Sequence, residues 1–287
     1  MRKSLLRRLE MIPIAPLCCA PEAFALLARQ LPTIDSSDAL LNGAMAIAMH
    51  QVDGATVADV DAQLQGYADT VRSRVRGSQP QALMAHLHEL LFDEEGFNGN
   101  AADYYNPLNS YLPTVLESKR GLPITLSLVY KIVADRLGLK AYGIGLPGHF
   151  LIGTECDGNR MLVDPFAGGR IITPDEAHDR LLDQFGPEVE WSEELLRPAS
   201  HRNWLTRMLQ NLLNLFGSNS RFPDVAAVLE MEMLLWPEQP HLQRDLALVL
   251  ARCGLSESAC QWLDRYLKTN PDDPQKSELM QLLDVLK

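Results

Sequence analysis

The chain has 287 residues, 46% of them hydrophobic, which is enough for one large domain or two packed units. Its 26 Lys and Arg against 37 Asp and Glu give a net charge of −11, which disfavours nucleic acid and anionic membranes as main partners. Five cysteines, an odd number without metal-finger spacing, predict neither a disulfide framework nor a structural zinc site.

The N-terminal stretch has a basic start and a brief apolar run, as an export signal does. Pro13 and Pro16 interrupt this run after a few residues. No other stretch approaches the roughly 20 apolar residues that a membrane span needs. We therefore expect a cytoplasmic protein without a membrane partner.

Residues 1–105 are predicted to form an N-terminal helical region. Apolar residues recur at helical spacing in four segments, which begin near residues 21, 39, 57 and 80. The Gly-, Asn- and Tyr-rich stretch that follows is typical of a loop, and we expect its aromatic residues to hold it in place.

Residues 106–186 are predicted to form the central unit. A short helix from about Leu112 to Ser118 precedes a longer one that starts at Pro123 and is apolar around most of its circumference. Pro123, Ser127, Lys131 and Asp135 stand four apart and leave one polar stripe on that helix. In the strand AYGIGL that follows, alternate glycines predict a face that another element, such as this helix, approaches closely.

Two further strands are predicted around Asp157-Gly158, a strong signal for a two-residue hairpin turn. The first strand carries His149 and the second ends at Asp164. These two residues would face each other across the hairpin if the register allows. A structural His–Asp contact and a catalytic one are both compatible with this pattern.

The rest of the chain is predicted to be helical. Thr173 followed by Glu176 indicates a capping box at the start of a helix, and the acidic segment 187–203 reads as a linker. In residues 204–287, Pro237 and Pro271, and likewise Pro240 and Pro274, stand 34 apart, which is the tetratricopeptide period. We therefore expect about two stacked helical hairpins in this tail.

A histidine oriented by an aspartate on the next strand is half of a thiol-type catalytic site. The nucleophile of such a site is a cysteine at a helix N-terminus, where the helix dipole favours the thiolate. Here the equivalent position falls at Pro123 or Ile124, and neither residue is a nucleophile. Cys156 lies beside the hairpin turn, on the wrong side of the strand pair.

Ser127 is the candidate replacement, since it lies one turn into the helix on the same side as Pro123. The competing interpretation is a solvated residue on the polar stripe. Thr125 either lines the cleft or caps backbone groups. Asn109 and Glu117 are further candidates for the cleft, although surface roles are the default for both.

The run YYNPLNSYLPTVLESKRGLPITLSLVYKIVADRLGL, together with GLPGHFLIG and VDPFAGGR, resembles the core of the SirB-type transglutaminase-like family of bacteria. The likeness covers roughly residues 35–285, including the repeat-containing tail. It implies a fold related to cysteine proteases and transglutaminases, with His149 and Asp164 at the family's His and Asp positions. The family itself lacks the cysteine, so the resemblance strengthens the fold and weakens acyl-transfer activity.

The predicted fold is therefore α+β. Helices of the N-terminal region pack on a transglutaminase- or papain-like core, made of a buried helix and a small antiparallel sheet, and an all-α tetratricopeptide-like tail follows. The leading functional hypothesis is a non-catalytic module that binds a protein or peptide and needs no metal or cofactor.

Two alternatives remain. The first is a hydrolase or acyltransferase in which Ser127, or a water activated by His149 with Asp164, replaces the thiol. The second is an assembly factor whose cleft holds no ligand, for which an apolar, plugged site at His149 is expected.

Overall fold

A computed structural model describes residues 15–156 and 159–287, without the side chain of Cys156. The start of the chain considered above as an export signal, and the Asp157-Gly158 turn, thus lie largely or wholly outside the described residues. Contacts divide the chain into a central unit, residues 33–208, and a terminal unit in which residues 15–32 join residues 209–287. This division groups residues 15–32 with the tail, whereas the sequence analysis placed them with the N-terminal helices.

The helices of the central unit begin where the sequence signals predicted. Thr56 caps one helix by accepting the N–H of Asp59, and Thr173 and Glu176 form the expected capping box. The bounds are α2 Ser37–Met49, α3 Val57–Arg74, α4 Pro80–His88, α5 Leu112–Ser118, α6 Pro123–Arg136, α7 Pro174–Phe185 and α8 His201–Ser218, which crosses into the terminal unit. A π-helical segment, Glu89–Glu94, extends α4.

The main sheet is antiparallel with its strands in chain order. Its strands are β3 Ala141–Ile144, β4 Leu151–Cys156, β5 Asn159–Asp164 and β6 Arg170–Ile172. The sequence analysis expected the first three and missed β6, which is three residues long. It also missed a short parallel pair, β1 Asn98–Gly99 with β2 Arg120–Gly121.

Helix α6 is the centre of this unit. It contacts α2, α3 and α5 as well as β3 and β4, and every residue from Pro123 to Ala134 is buried. Most of the stripe that was expected to be solvated is buried too: Lys131 is 7% exposed and forms an ion pair with the partly exposed Asp135, which also accepts from the Ser37 hydroxyl. The polar stripe therefore serves contacts inside the fold.

The glycine face of β3 contacts α8 rather than α6. A Cβ atom at Gly143 would come within 2.4 Å of the Trp204 ring, and one at Gly145 within 2.5 Å of Arg207. The Trp204 indole donates to the carbonyl of Ile124 at the start of α6, so one side chain touches both the sheet and the central helix.

Two loops of the central unit differ from their sequence-based interpretation. Segment 187–203 contains a 3₁₀ turn, and its Ala199 N–H donates to Gly143 at 2.8 Å, so the predicted linker packs on the edge of β3. In the loop before α5, Tyr105 is 80% exposed, but Tyr104 meets Phe166 edge-on at 5.9 Å between ring centroids. The Asn109 amide adds hydrogen bonds to the backbone carbonyls of Asp103 and Tyr104, so the loop is held by both kinds of contact.

In the described residues of the terminal unit the elements are helical. They are α1 Pro21–Gln30, α9 Phe222–Leu235, α10 Pro240–Arg252, α11 Ser256–Thr269 and α12 Lys276–Leu286. Helices α9 and α11 begin and end 34 residues apart, the spacing that the sequence repeat predicted.

The chain before α1 joins this unit through one buried carboxylate. Glu230 of α9, 2% exposed, accepts the backbone N–H groups of Leu17, Cys18 and Cys19. A charged acceptor in an apolar site gains strength from such donors. Helix α1 also packs on α9, so residues 15–32 group with the tail through both contacts.

Candidate functional site

His149 lies in a turn just before β4, rather than in the strand as the sequence analysis expected. Its N–H donates to Leu146 at 3.3 Å, and the preceding Gly148 has a positive φ of 65°. Strands β4 and β5 pair with Ile152 opposite Val163, so the end of β5 comes next to this turn. As a result, His149 Nε2 lies 3.1 Å from Asp164 Oδ2.

Asp164 is almost completely buried, with 1% of its side chain exposed, and its two oxygens have different partners. Oδ1 accepts the backbone N–H groups of Phe166 at 3.0 Å and Ala167 at 3.3 Å, which caps the turn after β5. Oδ2 faces both His149 and the guanidinium of Arg180. Burial raises the pKa of this carboxyl, but His149 and Arg180 outweigh it and hold the pKa below its usual value.

His149 and Asp164 are in close contact, but the two groups are not well aligned for a hydrogen bond. Nε2 is buried and makes no hydrogen bond of acceptable geometry within the described part of the chain, although the carboxylate is 3.1 Å away. The His149 side chain as a whole is 21% exposed, so its contact with solvent comes from side-chain atoms other than Nε2. The edge of the ring meets Phe166 at 6.1 Å between centroids.

A pocket of about 250 Å³ adjoins His149. Its walls are aliphatic side chains from the turn, β4, β6 and α7, and its polar lining comes from His149, Arg180 and Gln184. It is therefore neither plugged nor wholly polar. Among the described residues, the lining does not include the three cleft candidates Asn109, Glu117 and Thr125.

Those three residues have other surroundings. Asn109 is 3% exposed, accepts from the Asn100 amide and donates to the carbonyls of Asp103 and Tyr104, so its side chain is used within its loop. Glu117 is exposed on α5. Thr125 is fully buried on α6, and its hydroxyl has no hydrogen-bond partner in the described structure, so it caps no backbone group.

The expected nucleophile position lies inside the core. Pro123 and Ile124 are buried at the start of α6, and Ser127 has no exposed surface. Within the described residues, the Ser127 hydroxyl has no hydrogen-bond partner. A nucleophile and its base need such a bond to pass a proton, and Ser127 and His149 do not form one here.

The sequence analysis missed Arg180 and Gln184. Both lie on α7, and Ala177, Arg180, Leu181 and Gln184 follow the i, i+3, i+4, i+7 spacing of one helix face. That spacing was readable in the sequence. What was not readable is that this face covers His149, because it depends on how α7 packs on the sheet.

The described residues provide neither a metal-binding cluster nor a membrane-spanning helix. No group of three or more His, Cys, Asp or Glu side chains there is arranged to hold a metal ion. No helix in that part of the chain combines the length and apolarity needed to cross a membrane. Cys156 closes the far end of β4, which spans about 17 Å from Leu151 at the usual rise of a strand.

Comparisons with known proteins agree with this architecture. The family profile of the transglutaminase-like superfamily matches residues 58–210. A UPF0162 protein of Xylella fastidiosa is 34% identical over 248 residues, which cover 85% of this chain and 88% of the relative. One from Haemophilus influenzae is 26% identical over 223 residues, 77% of this chain and 83% of the relative.

A similarity over a shorter part of the chain is found with an animal protein. F-box only protein 21 of Mus musculus is 31% identical over 176 residues, which cover 57% of this chain but 27% of that protein. No solved structure gives a significant match. The matched core and the extent of the bacterial similarity place the chain in the transglutaminase-like superfamily, as a member of its UPF0162 proteins.

Proposed function

We propose that this chain is a SirB-type, non-catalytic transglutaminase-like protein of the cytoplasm that binds a peptide or small ligand beside His149. The observation that carries the proposal is the sharing of one buried oxygen, Asp164 Oδ2, by His149 and Arg180. An aspartate that orients a catalytic imidazole need serve only that ring. Here the same carboxylate joins α7 to the sheet, which is a structural task.

The missing nucleophile supports the same conclusion. Both hydroxyls near the start of α6, those of Thr125 and Ser127, are fully buried, so a substrate has no path to them without opening the core. The pocket beside His149, in contrast, is accessible from the surface side of α7, where Gln184 is exposed. Pockets that combine apolar walls with a few polar groups are typical of ligand sites.

The tail is proposed to be a second binding surface. Helices α9 and α11 repeat at the 34-residue period of tetratricopeptide units, which commonly use their stacked helices to bind peptides. We therefore expect a protein or peptide partner for this protein, and the net charge of −11 argues against a nucleic acid or an anionic membrane.

Binding at the pocket is tested by ligand-observed NMR with a library of short peptides. Ala177 lines the pocket and is fully buried, so Ala177→Leu would fill part of the space and should abolish binding. Ala68→Leu is the matched control, because Ala68 is equally buried on α3 but lies away from the pocket. Unchanged binding by a folded Ala177→Leu variant contradicts the proposal.

A hydrolase is the second candidate, because the partly exposed His149 beside an ionised Asp164 is able to activate a water molecule. That mechanism requires His149→Ala to abolish turnover of ester or amide substrates while the melting temperature stays nearly unchanged. The binding proposal expects no turnover by the wild-type protein and a lower melting temperature for His149→Ala.

A further inference from the structure

We infer that the pocket beside His149 selects a carboxylate carried on a short branched aliphatic group. The inference rests on the proposed function, since it names the chemistry of the ligand bound there. Three features of the pocket support it: the apolar walls, the hydrogen-bond donors at the mouth, and the engagement of the neighbouring carboxylates elsewhere.

The walls of the pocket are apolar. Leu146, Leu151, Ile172 and Leu181 are each at most 3% exposed, and Ala177 is 0% exposed. An apolar cavity of about 150 Å³ already admits a benzene molecule, and this pocket measures about 250 Å³. A group the size of a valine or leucine side chain fits such a space and buries its apolar surface there.

The mouth of the pocket offers donors that the protein does not use. Arg180 is 35% exposed and pairs with Asp164 through Nη1, while its Nη2 and Nε have no hydrogen-bond partner among the described residues. A guanidinium carries five N–H donors in a planar fork, which suits a carboxylate. The Gln184 amide is exposed and likewise makes no hydrogen bond within the described structure.

The Gln184 side chain also closely approaches the backbone at Gly148. Its amide lies over Gly148, where even a single Cβ atom would come within 2.4 Å of Nε2. The absence of a side chain at position 148 thus lets the amide reach the rim next to His149. This arrangement places a second donor near the Arg180 fork.

The acidic side chains near Arg180 in the described structure, Asp164 and Glu176, leave its Nη2 and Nε unoccupied. Glu176 is close enough to Arg180 for the positive charge to lower its pKa. Its carboxylate, however, pairs with Arg170 and accepts the Thr173 N–H in the capping box. Asp164 lies on the buried side of the guanidinium, with 1% of its side chain exposed. The free N–H groups of Arg180 are therefore left for a ligand.

Two sources of such a carboxylate exist: a free aliphatic acid and the C-terminal residue of a peptide. The probes are 4-methylpentanoate, N-acetyl-Ala-Ala-Leu with a free carboxylate, and the same peptide with an amidated C-terminus. Titrations by calorimetry on the full chain give the three dissociation constants. We expect the free-carboxylate peptide to bind at least about tenfold more tightly than its amide. Binding of 4-methylpentanoate as tight as that of the peptide identifies the free acid as sufficient.

Charge changes at the rim test the position of the bound carboxylate. Gln184→Glu should weaken binding of the free-carboxylate peptide at least about tenfold, and Gln184→Lys should strengthen it. Gln261→Glu and Gln261→Lys are the matched controls. Gln261 is an exposed helical glutamine of the terminal unit, and its substitutions change the net charge of the protein by the same amounts. These control variants should leave the affinity unchanged.

The outcomes separate the inference from the function on which it rests. Equal affinity for acid and amide, or no response to the Gln184 changes, overturns the carboxylate inference while ligand binding stands. Absence of binding by any of the three probes, together with none in the peptide library, overturns both.

Discussion

Asp164 shows how a single buried charge can hold a site together. Its carboxylate receives two backbone N–H groups, one guanidinium and one imidazole, and almost none of it reaches water. Removing one member of a buried ionic group leaves the others without compensation, which costs more than the loss of a surface pair.

Asp164→Asn is therefore expected to lower the free energy of unfolding by about 3 kcal/mol near pH 7. Because the native pKa of Asp164 lies below its usual value, the stabilisation is present above about pH 4 and is lost as the pH falls through the native pKa. The difference between wild type and variant should shrink accordingly in urea unfolding at lower pH. Asp61→Asn serves as control, since the Arg136–Asp61 pair is 53% exposed at Asp61 and is worth at most about 1 kcal/mol.

For Glu232 in the terminal unit, we predict that the free energy of unfolding has the opposite pH dependence. It is 4% exposed, its Oε1 has no hydrogen-bond partner among the described residues, and burial together with the nearby Asp245 raises its pKa from 4.5 to about 7. The native state thus binds the proton more tightly than the unfolded chain, so stability rises as the pH falls from above 7 toward 4.5.

Glu232→Gln should accordingly stabilise the protein by about 3 kcal/mol at pH 8, with the gain fading by about pH 5. Urea unfolding across this range measures the effect. Glu230→Gln is the contrasting variant on the same helix: it loses the carboxylate that accepts the N–H groups of Leu17 and Cys19 and should be less stable. A Glu232→Gln gain that does not change with pH would contradict the assignment.

At the scale of elements, the absence of a side chain at Gly143 lets Trp204 of α8 pack closely against β3. Gly143→Ala would place a methyl group within 2.4 Å of Trp204, and we expect a loss of about 1–3 kcal/mol from overpacking. Gly66, on the exposed side of α3, has nothing within 4 Å of a Cβ atom, so Gly66→Ala should stabilise by about 1 kcal/mol. Thermal unfolding of both variants checks the pair, and equal effects would refute the close approach of α8.

Local signals in the sequence predicted most helix starts and strand positions. Pro123 opens α6, Thr173 and Glu176 form their capping box, and the hairpin strands lie where alternation and the turn signal placed them. These features depend on neighbours within a few residues, so a single sequence contains the information. The expected solvent exposure of Ser127 and Lys131 was wrong, because polar residues on a helix normally face solvent, whereas both are buried here. Lys131 pairs with Asp135 of the same helix, and Asp135 accepts from Ser37 of the neighbouring α2.

For the candidate site, the sequence brought His149 and Asp164 to adjacent positions, and their catalytic role stays a prediction. Arg180 escaped notice because it joins Asp164 from an element sixteen residues later, through packing that no local pattern encodes. The pocket likewise depends on how α7 lies against the sheet.

For the whole molecule, the division into units likewise could not be predicted from local sequence patterns. The residues before α1 contact Glu230 of α9, which is 213 residues away from Leu17 in the sequence. Neither composition nor periodicity indicates a contact of this kind. Long-range pairing of this kind is decided by complementary burial of donors and acceptors, which only the folded chain displays.

This contact also orders events during biosynthesis. The peptide groups of Leu17, Cys18 and Cys19 leave the ribosome long before the carboxylate of Glu230 has been made, and at roughly 5–20 residues per second the interval is about 10 to 40 seconds. Throughout that interval the nascent segment lacks the acceptor that it has in the native fold. Docking of the first described residues onto Glu230 is thus necessarily a late step, whereas residues 33–208 are all synthesised before Glu230.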